Sequence, residues 1–155
     1  PRPILKKIDI TQLINKTLDF IKPTTKNSIN LFNDSKKQFI NGDEDQLNRV
    51  FINLIKNSEE SISEKLQKDP NFKGNIDIEI VANNDYIIIR LTDNGTGITD
   101  AKKAMTPYFT TKRTGTGLGL PIVTKIINEH SGNFSIKNRR DKQGVVITII
   151  LPKYA

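Results

Sequence analysis

The segment from 93 to 98 has the composition of a ligand-binding turn. Its residues are Asp93-Asn94-Gly95-Thr96-Gly97-Ile98, and they follow an apolar stretch. Gly95 and Gly97 have no Cβ, so the backbone could approach a flat ligand closely there. The carboxylate of Asp93 could accept a hydrogen bond from an exocyclic amino group. A plain glycine-rich turn between two elements explains the same pattern equally well.

A second glycine-rich segment, Gly115-Thr116-Gly117-Leu118-Gly119-Leu120, leads into a predicted helix. Unpaired backbone N–H groups and the helix dipole would favour a phosphate at that point. The spacing does not fit a Rossmann fingerprint, and the lysine that a P-loop requires after its final glycine is absent. The segment alone indicates phosphate binding only weakly, because loop glycines are common.

Two asparagines, Asn53 and Asn57, are four residues apart on a predicted helix and therefore project from the same face. The apolar residues beside them indicate the pocket side of that helix. Amide oxygens suit Mg²⁺, which usually keeps several waters and shares its shell with substrate phosphates. Two surface or capping asparagines are the alternative in a chain so rich in this residue.

Hydrophobic periodicity predicts the elements that would position these residues. The first half is predicted to hold a helix between Asp9 and Pro23, strands at 29–32 and 38–40 with a turn at 33–35, and a helix from 43 to about 66. The second half is predicted to hold a hairpin of strands 76–80 and 87–91, a functional loop over 93–119, a helix at 118–129, and strands near 134–137 and 145–151.

Length and composition indicate one globular domain. The 155 residues are 35% hydrophobic and 26% charged, which argues against disorder. The absence of cysteine excludes disulfides, thiolate metal sites and cysteine nucleophiles. The net charge of +7 would suit nucleic acid, an acidic protein surface or a polyphosphate. Because the chain starts at Pro1 and not at methionine, we expect it to be a piece of a longer protein.

Four segments together, in this order, resemble the N, G1, F and G2 boxes of sensor histidine kinases: 53–57, 93–98, 107–112 and 115–120. The resemblance covers residues 43–152, and the subgroup it most resembles is the nitrogen-regulation type. It implies the Bergerat ATP-binding fold of the GHKL superfamily. This is an α+β fold, a two-layer α/β sandwich with a mixed sheet, helices on one face and a mobile lid over the nucleotide.

The resemblance also implies roles for residues in binding ATP and Mg²⁺. Asp93 would bind the adenine amino group, Asn57 would hold Mg²⁺, and Asn53 would lie beside the phosphates. Asn53 and Lys112 are the catalytic candidates it implies. Thr148, on the last core strand, resembles a position near the adenine-binding aspartate. The remaining implied nucleotide contacts are Gly95, Gly97 and Ile98 in the base pocket, and Thr110, Thr111, Lys112, Gly115, Thr116, Gly117, Leu118 and Gly119 in the lid and phosphate loop.

The activity implied is that of a protein histidine kinase. The γ-phosphoryl group of ATP would pass to a histidine on dimerisation helices outside this chain, and then to the receiver domain of a response regulator. Residues 1–9 would form the junction after those helices, and 10–155 the catalytic domain. The resemblance places His130, the single histidine, in a helix-ending turn, so we expect no autophosphorylation of the isolated chain.

The same resemblance sets expectations about the parent protein. We expect a homodimer in which this domain is cytoplasmic and makes no membrane contact, whether or not the parent is membrane-anchored. Three departures from the family pattern stand out. The lid between Ile98 and Pro107 is slightly short, Glu60 stands where many members carry lysine, and Val145 follows Gly144 where threonine is frequent.

Other classes share parts of the pattern. GHKL ATPases such as gyrase and the Hsp90 chaperones typically carry a glutamate where this chain has Asn53, and an amide cannot act as a general base. Slow hydrolysis is therefore expected. An anti-sigma-type serine kinase is the enzymatic alternative. A basic nucleic-acid-binding module would use Arg139, Arg140 and Lys142, but aromatic residues are only 6% and no nucleic-acid motif is present. We therefore expect no nucleic-acid partner.

Overall fold

The computed structural model describes residues 2–33, 37–98 and 119–155. Within these ranges the chain forms seven strands and three α-helices. They are β1 (Lys6–Asp9), α1 (Ile10–Ile21), β2 (Ser28–Asn33), β3 (Phe39–Gly42), α2 (Glu44–Lys68), β4 (Asn75–Ala82), β5 (Tyr86–Asp93), α3 (Gly119–Glu129), β6 (Asn133–Asn138) and β7 (Val145–Pro152).

The main sheet has five strands in the order β2-β4-β5-β7-β6. β2 runs parallel to β4, and the other neighbours are antiparallel. The predicted hairpin of strands 76–80 and 87–91 is confirmed as β4 and β5, with Ile78 opposite Leu91. β7 is the last strand in the sequence but lies inside the sheet, between β5 and β6.

The sheet buries one of its faces beneath the helices. Alternate residues of β5 and β7, among them Leu91 and Ile147, are buried, as the period of two in a strand requires. Residues from all three helices join the same core, including Ile14, Leu54 and Ile127. The predicted α+β class, a mixed sheet with helices on one face, is confirmed.

Aspartates begin the two long helices. The Asp9 carboxylate accepts hydrogen bonds from the N–H groups of Thr11 and Gln12 at 3.0 and 3.3 Å. Asp43 likewise accepts from the N–H of Gln46 at 3.1 Å. Such caps satisfy donors that the first turn of a helix leaves unpaired. Both predicted helices are thus confirmed, with α2 reaching two residues beyond the predicted end at 66.

Strand β1 was not predicted. It pairs antiparallel with β3, so residues assigned to the junction at 1–9 contribute a strand to the fold. Three of its four residues are charged, and Ile8 alone gives no alternating pattern to detect. The two short strands predicted at 29–32 and 38–40 exist, but they belong to different sheets. β2 joins the main sheet, whereas β3 pairs with β1.

Candidate functional site

Asp93 lies at the end of β5 with its side chain toward the helices, and only 3% of it is exposed. Its Oδ1 accepts hydrogen bonds from the N–H groups of Gly95 at 2.9 Å and Val145 at 3.3 Å. These donors fix the carboxylate from two segments of the chain. A buried, oriented acceptor of this kind suits recognition of an amino group on a base.

Helix α2 holds the loop that follows Asp93. The hydroxyl of Ser61 accepts a hydrogen bond from the N–H of Thr96 at 2.8 Å and lies 3.1 Å from the Thr96 hydroxyl. A Cβ at Gly95 would stand 2.3 Å from the Ser61 Oγ, so glycine is required where the loop crosses the helix. One turn further along α2, Lys65 Nζ donates to the carbonyl of Asn94 at 3.2 Å.

The end of the same loop is held from β6. Asn138 Oδ1 accepts from the N–H of Ile98 at 2.8 Å, and its Nδ2 donates to the Ile98 carbonyl. Gly97, between the two held segments, has a φ of 82°, a conformation that favours glycine. The predicted base-pocket residues Gly95, Gly97 and Ile98 therefore lie in one continuous, fixed loop beside Asp93.

Asn53 and Asn57 face the start of α3. A Cβ placed on Gly119 would lie 3.8 Å from Asn53 Oδ1 and 3.9 Å from Asn57 Nδ2. The structure thus brings the two predicted phosphate-side amides to the N-terminal end of an 11-residue helix. Backbone N–H groups at such an end favour anions. The amides and the helix end could share a phosphate group and its metal ion.

The prediction for Thr148 is corrected by the strand register. Thr148 pairs with Arg90, and both alternate with the buried residues of their strands. The Thr148 side chain therefore lies on the open face of the sheet, opposite the face that carries Asp93. The residue of β7 that contacts the Asp93 carboxylate is Val145, through its backbone N–H at 3.3 Å.

Seven of the predicted nucleotide contacts lie outside the described residues. They are Thr110, Thr111, Lys112, Gly115, Thr116, Gly117 and Leu118. In the described part of the chain, no group of three histidine or acidic side chains could hold a metal ion. Amide and phosphate oxygens also suit Mg²⁺, and Asn57 is the amide that the sequence predicts for this role.

His130 is a structural residue. It is 5% exposed, and its Nε2 accepts a hydrogen bond from the N–H of Asp43 at 2.9 Å. Its Nδ1 lies 2.8 Å from the carbonyl of Ile126, to which it therefore donates. Both ring nitrogens are engaged in joining the end of α3 to the start of α2. This arrangement leaves neither nitrogen available as a phosphoacceptor.

In the basic turn predicted at 139–142, Arg140 and Lys142 are exposed, whereas Arg139 is engaged in internal contacts. Arg139 forms an ion pair with Asp141 at 2.8 Å, and the Arg139 side chain is 13% exposed. Its Nη1 donates to the Asp93 carbonyl at 3.1 Å. Arg139 therefore contributes to the internal structure of this part of the chain. In the described residues, no helix is both long enough and apolar enough to cross a membrane.

The chain belongs to the family described as histidine kinase-, DNA gyrase B- and HSP90-like ATPases, whose model matches residues 42–155. An NtrY-like sensor histidine kinase of Rickettsia prowazekii is 35% identical over 152 residues, which cover 96% of this chain and 24% of that protein. Sporulation kinase B of Bacillus subtilis is 41% identical over 115 residues, which cover 73% of this chain and 25% of that protein. The chain thus spans about a quarter of the length of these relatives.

Solved structures show the same fold. The catalytic domain of histidine kinase ThkA, in a nucleotide-free form, superposes with a TM-score of 0.82 at 26% sequence identity. The match covers 97% of this chain and 96% of that domain. ThkA has also been solved in complex with the response regulator TrrA. The resemblance of the four segments to sensor histidine kinases is therefore confirmed at the level of family and fold.

Proposed function

We propose that this chain binds Mg-ATP and supplies the catalytic half of a histidine kinase. The γ-phosphoryl group would go to a histidine on dimerisation helices of the same parent, and onward to a response regulator. The observation that carries this proposal is the convergence of three features on one side of the sheet. They are the buried Asp93 carboxylate, the glycine loop fixed beside it, and the Asn53–Asn57 pair facing Gly119.

Asp93 would recognise the base. Its Oδ1 is already occupied by two N–H donors, which hold the side chain in one orientation. A carboxylate fixed in this way can accept a hydrogen bond from the amino group of adenine without losing rotational freedom on binding. Gly95 and Gly97 add no side chains that would block a flat base. The pocket would thus select for a purine bearing an amino group.

Asn57 and Asn53 would bind on the phosphate side. Asn57 would provide an amide oxygen to Mg²⁺, and the metal, when bound, would neutralise charge on the phosphate oxygens. Asn53 would lie beside the phosphates, with the N-terminal end of α3 opposite. The half-buried position of both asparagines agrees with this role. Lys112 and the other residues of 107–118 keep the roles that the family resemblance implies.

The chemistry of Asn53 favours transfer over hydrolysis. An amide has no basicity near neutral pH and cannot activate water. Transfer breaks the bond between Pγ and the bridging oxygen of ADP and forms a P–N bond to the acceptor imidazole. It requires that imidazole to be held close to Pγ and in line with the leaving oxygen. Positioning would come from the dimerisation helices, because His130 is already engaged elsewhere.

The proposal extends to the partners. Relatives named as sensor histidine kinases, and the ThkA complex with a response regulator, support a receiver domain as the final acceptor. The parent would be a homodimer with this domain in the cytoplasm. No nucleic-acid partner is proposed, because Arg139 is committed to Asp141 and Asp93.

Calorimetry of Mg-ATP binding tests the base contact. Asp93→Ala should weaken binding by about 1.5–3 kcal/mol, the value of a hydrogen bond to a charged group. Asp85→Ala is the matched control, since it removes an exposed carboxylate from the turn between β4 and β5. Unchanged affinity in Asp93→Ala, or an equal loss in Asp85→Ala, would remove Asp93 from the site.

Incubation with γ-labelled ATP tests the transfer. The isolated chain should acquire no label, whereas addition of the parent's dimerisation helices should give acid-labile label on their histidine. Label on His130 of the isolated chain would contradict the proposal. Acid-stable label on a serine of a partner protein would favour the anti-sigma alternative.

A further inference from the structure

Three polar side chains, one at the end of β6 and two in the turn that follows it, hold the segment 93–98. We call residues 138–144 the hairpin clamp. Each of the three bonds to the backbone of a different residue in the segment 93–98. Asn138 binds Ile98, Arg139 Nη1 donates to the Asp93 carbonyl at 3.1 Å, and Gln143 Nε2 donates to the Thr96 carbonyl at 3.0 Å. The hairpin clamp thus forms hydrogen bonds with segment 93–98 at its start, middle and end.

Arg139 is the most constrained member of the hairpin clamp. Its Nε and Nη2 donate to the two carboxylate oxygens of Asp141 at 3.0 and 2.8 Å. A bidentate pair of this kind fixes the plane of the guanidinium group. The hydrogen bonds from Arg139 also lower the pKa of the Asp141 carboxyl, so the pair stays ionised at neutral pH. The remaining Nη1 is therefore aimed at the Asp93 carbonyl.

Gly144 and Val145 support the same peptide from the other end of the clamp. Gly144 has a φ of 138°, and a Cβ on it would stand 2.0 Å from the Asp93 carbonyl oxygen. The next residue, Val145, donates its N–H to the Asp93 carboxylate at 3.3 Å. The hairpin clamp thus holds the backbone of Asp93, and the first residue of β7 holds its side chain, both more than 40 residues away in sequence.

We propose that Arg139 is a positioning residue for adenine recognition, which holds the Asp93 peptide so that the Asp93 carboxylate faces the amino group of the base. This inference rests on the proposed function, since it assumes that Asp93 binds adenine. The carbonyl of Asp93 is joined to its side chain through a single atom, the Cα. Rotation of that peptide therefore displaces the carboxylate, and hydrogen bonds weaken steeply as their angle departs from linearity.

Arg139→Gln should lower the affinity for Mg-ATP about tenfold, because it leaves the Asp93 contact present but misdirected. Binding of Mg-tripolyphosphate, which has no base, should be unchanged. Purine riboside triphosphate, which carries hydrogen in place of the amino group, should also bind as it does to the wild type. In an Asp93→Asn background, Arg139→Gln should cause no further loss of ATP affinity.

Two further variants of the same turn provide a control and a second test. Arg140→Gln removes the same charge from the neighbouring exposed residue and should leave all three affinities unchanged. Asp141→Asn weakens the support of the guanidinium group without removing its bond to the Asp93 carbonyl. It should lower ATP affinity about two- to threefold, the range of an exposed ion pair. Where Arg139→Gln does not fold, Asp141→Asn provides the test.

The outcomes separate this inference from a purely structural role. A loss confined to ATP supports it. Equal losses for ATP and tripolyphosphate in Arg139→Gln would mean that the clamp only stabilises the fold, and would overturn it. Unchanged ATP affinity in a folded Arg139→Gln variant would also overturn the inference. If Arg139→Gln does not fold, unchanged ATP affinity in Asp141→Asn would overturn it instead. A wild-type chain that binds tripolyphosphate but not ATP would contradict the proposed function itself.

Discussion

Replacing Gly144 by alanine should destabilise the fold at the point where the sheet meets the base pocket. The backbone there has a φ of 138°, a conformation that side chains rarely adopt. The added Cβ would stand 2.0 Å from the Asp93 carbonyl oxygen and 2.9 Å from Arg139 Cδ. The first of these atoms belongs to the backbone of β5, so the strand or the turn must move.

The magnitude follows from three contributions. Strain at such a φ costs about 1–3 kcal/mol, and the steric overlap about as much again. Lower entropy of the unfolded chain offsets about 0.4–1 kcal/mol. The central expectation is a net loss of about 3 kcal/mol in the free energy of unfolding. For a domain of this size that loss lowers Tm by roughly 6–12 °C.

Thermal and urea unfolding followed by circular dichroism would measure the loss. Gly119→Ala is the matched control, because its Cβ would have no neighbour closer than 3.8 Å among the described residues and because Gly119 is the first residue of α3. That variant should be within about 1 kcal/mol of the wild type. Equal stabilities of the Gly144 and Gly119 variants would refute the reasoning from backbone strain and close approach.

Three further outcomes are expected. The hydrogen bond from the Ile4 N–H is the main cause that lowers the pKa of Asp43 below its ordinary value of 3.8. The ionised carboxylate therefore stabilises the fold at pH values above 3.8, and this stabilisation is lost as the pH falls through the pKa of the folded state. Urea titrations should therefore show Asp43→Asn destabilising the chain near neutral pH and much less at a pH well below the ordinary value of 3.8. Thr148→Val should leave Mg-ATP affinity unchanged in calorimetry, since Thr148 lies on the open face of the sheet; a clear loss would restore it to the site. Thr17→Val should cost about 1–3 kcal/mol in unfolding experiments, because it removes a buried hydroxyl that lies 2.6 Å from the Asn48 side-chain oxygen and 3.0 Å from the Leu13 carbonyl.

Local patterns predicted most of the elements. Helices α1 and α2 each combine an aspartate cap with apolar residues at helical spacing, and both signals are contained in a few adjacent residues. Strand pairing is not local. The partner of β3 is β1, more than 25 residues earlier, and nothing in the sequence of either strand predicts which strand it pairs with. The prediction therefore found β3 but not the sheet to which it belongs.

For the site too, local motifs could be predicted from the sequence and contacts between distant segments could not. The resemblance predicts Asp93 and the two asparagines as site residues. It did not identify Ser61 or Arg139, which contact segment 93–98 from positions 35 and 46 residues away. Ser61 could have been predicted, because it is four residues after Asn57 and therefore lies on the same face of the helix. Side chains along a strand alternate between its two faces. Thr148 is three residues after Val145, so this alternation places it on the opposite, open face of the sheet.

The place of β7 has a consequence for how the chain acquires its structure during synthesis. Among the described strands of this domain β7 is synthesised last, yet it lies in the interior of the sheet, between β5 and β6. Until residues 145–152 emerge, β5 has one open edge, β6 has no neighbour in the sheet, and the Asp93 carboxylate lacks its Val145 donor. An apolar strand edge therefore stays exposed to aggregation until residues 145–152 have been synthesised. Competence to bind nucleotide would then arise in one late step and not gradually with chain length.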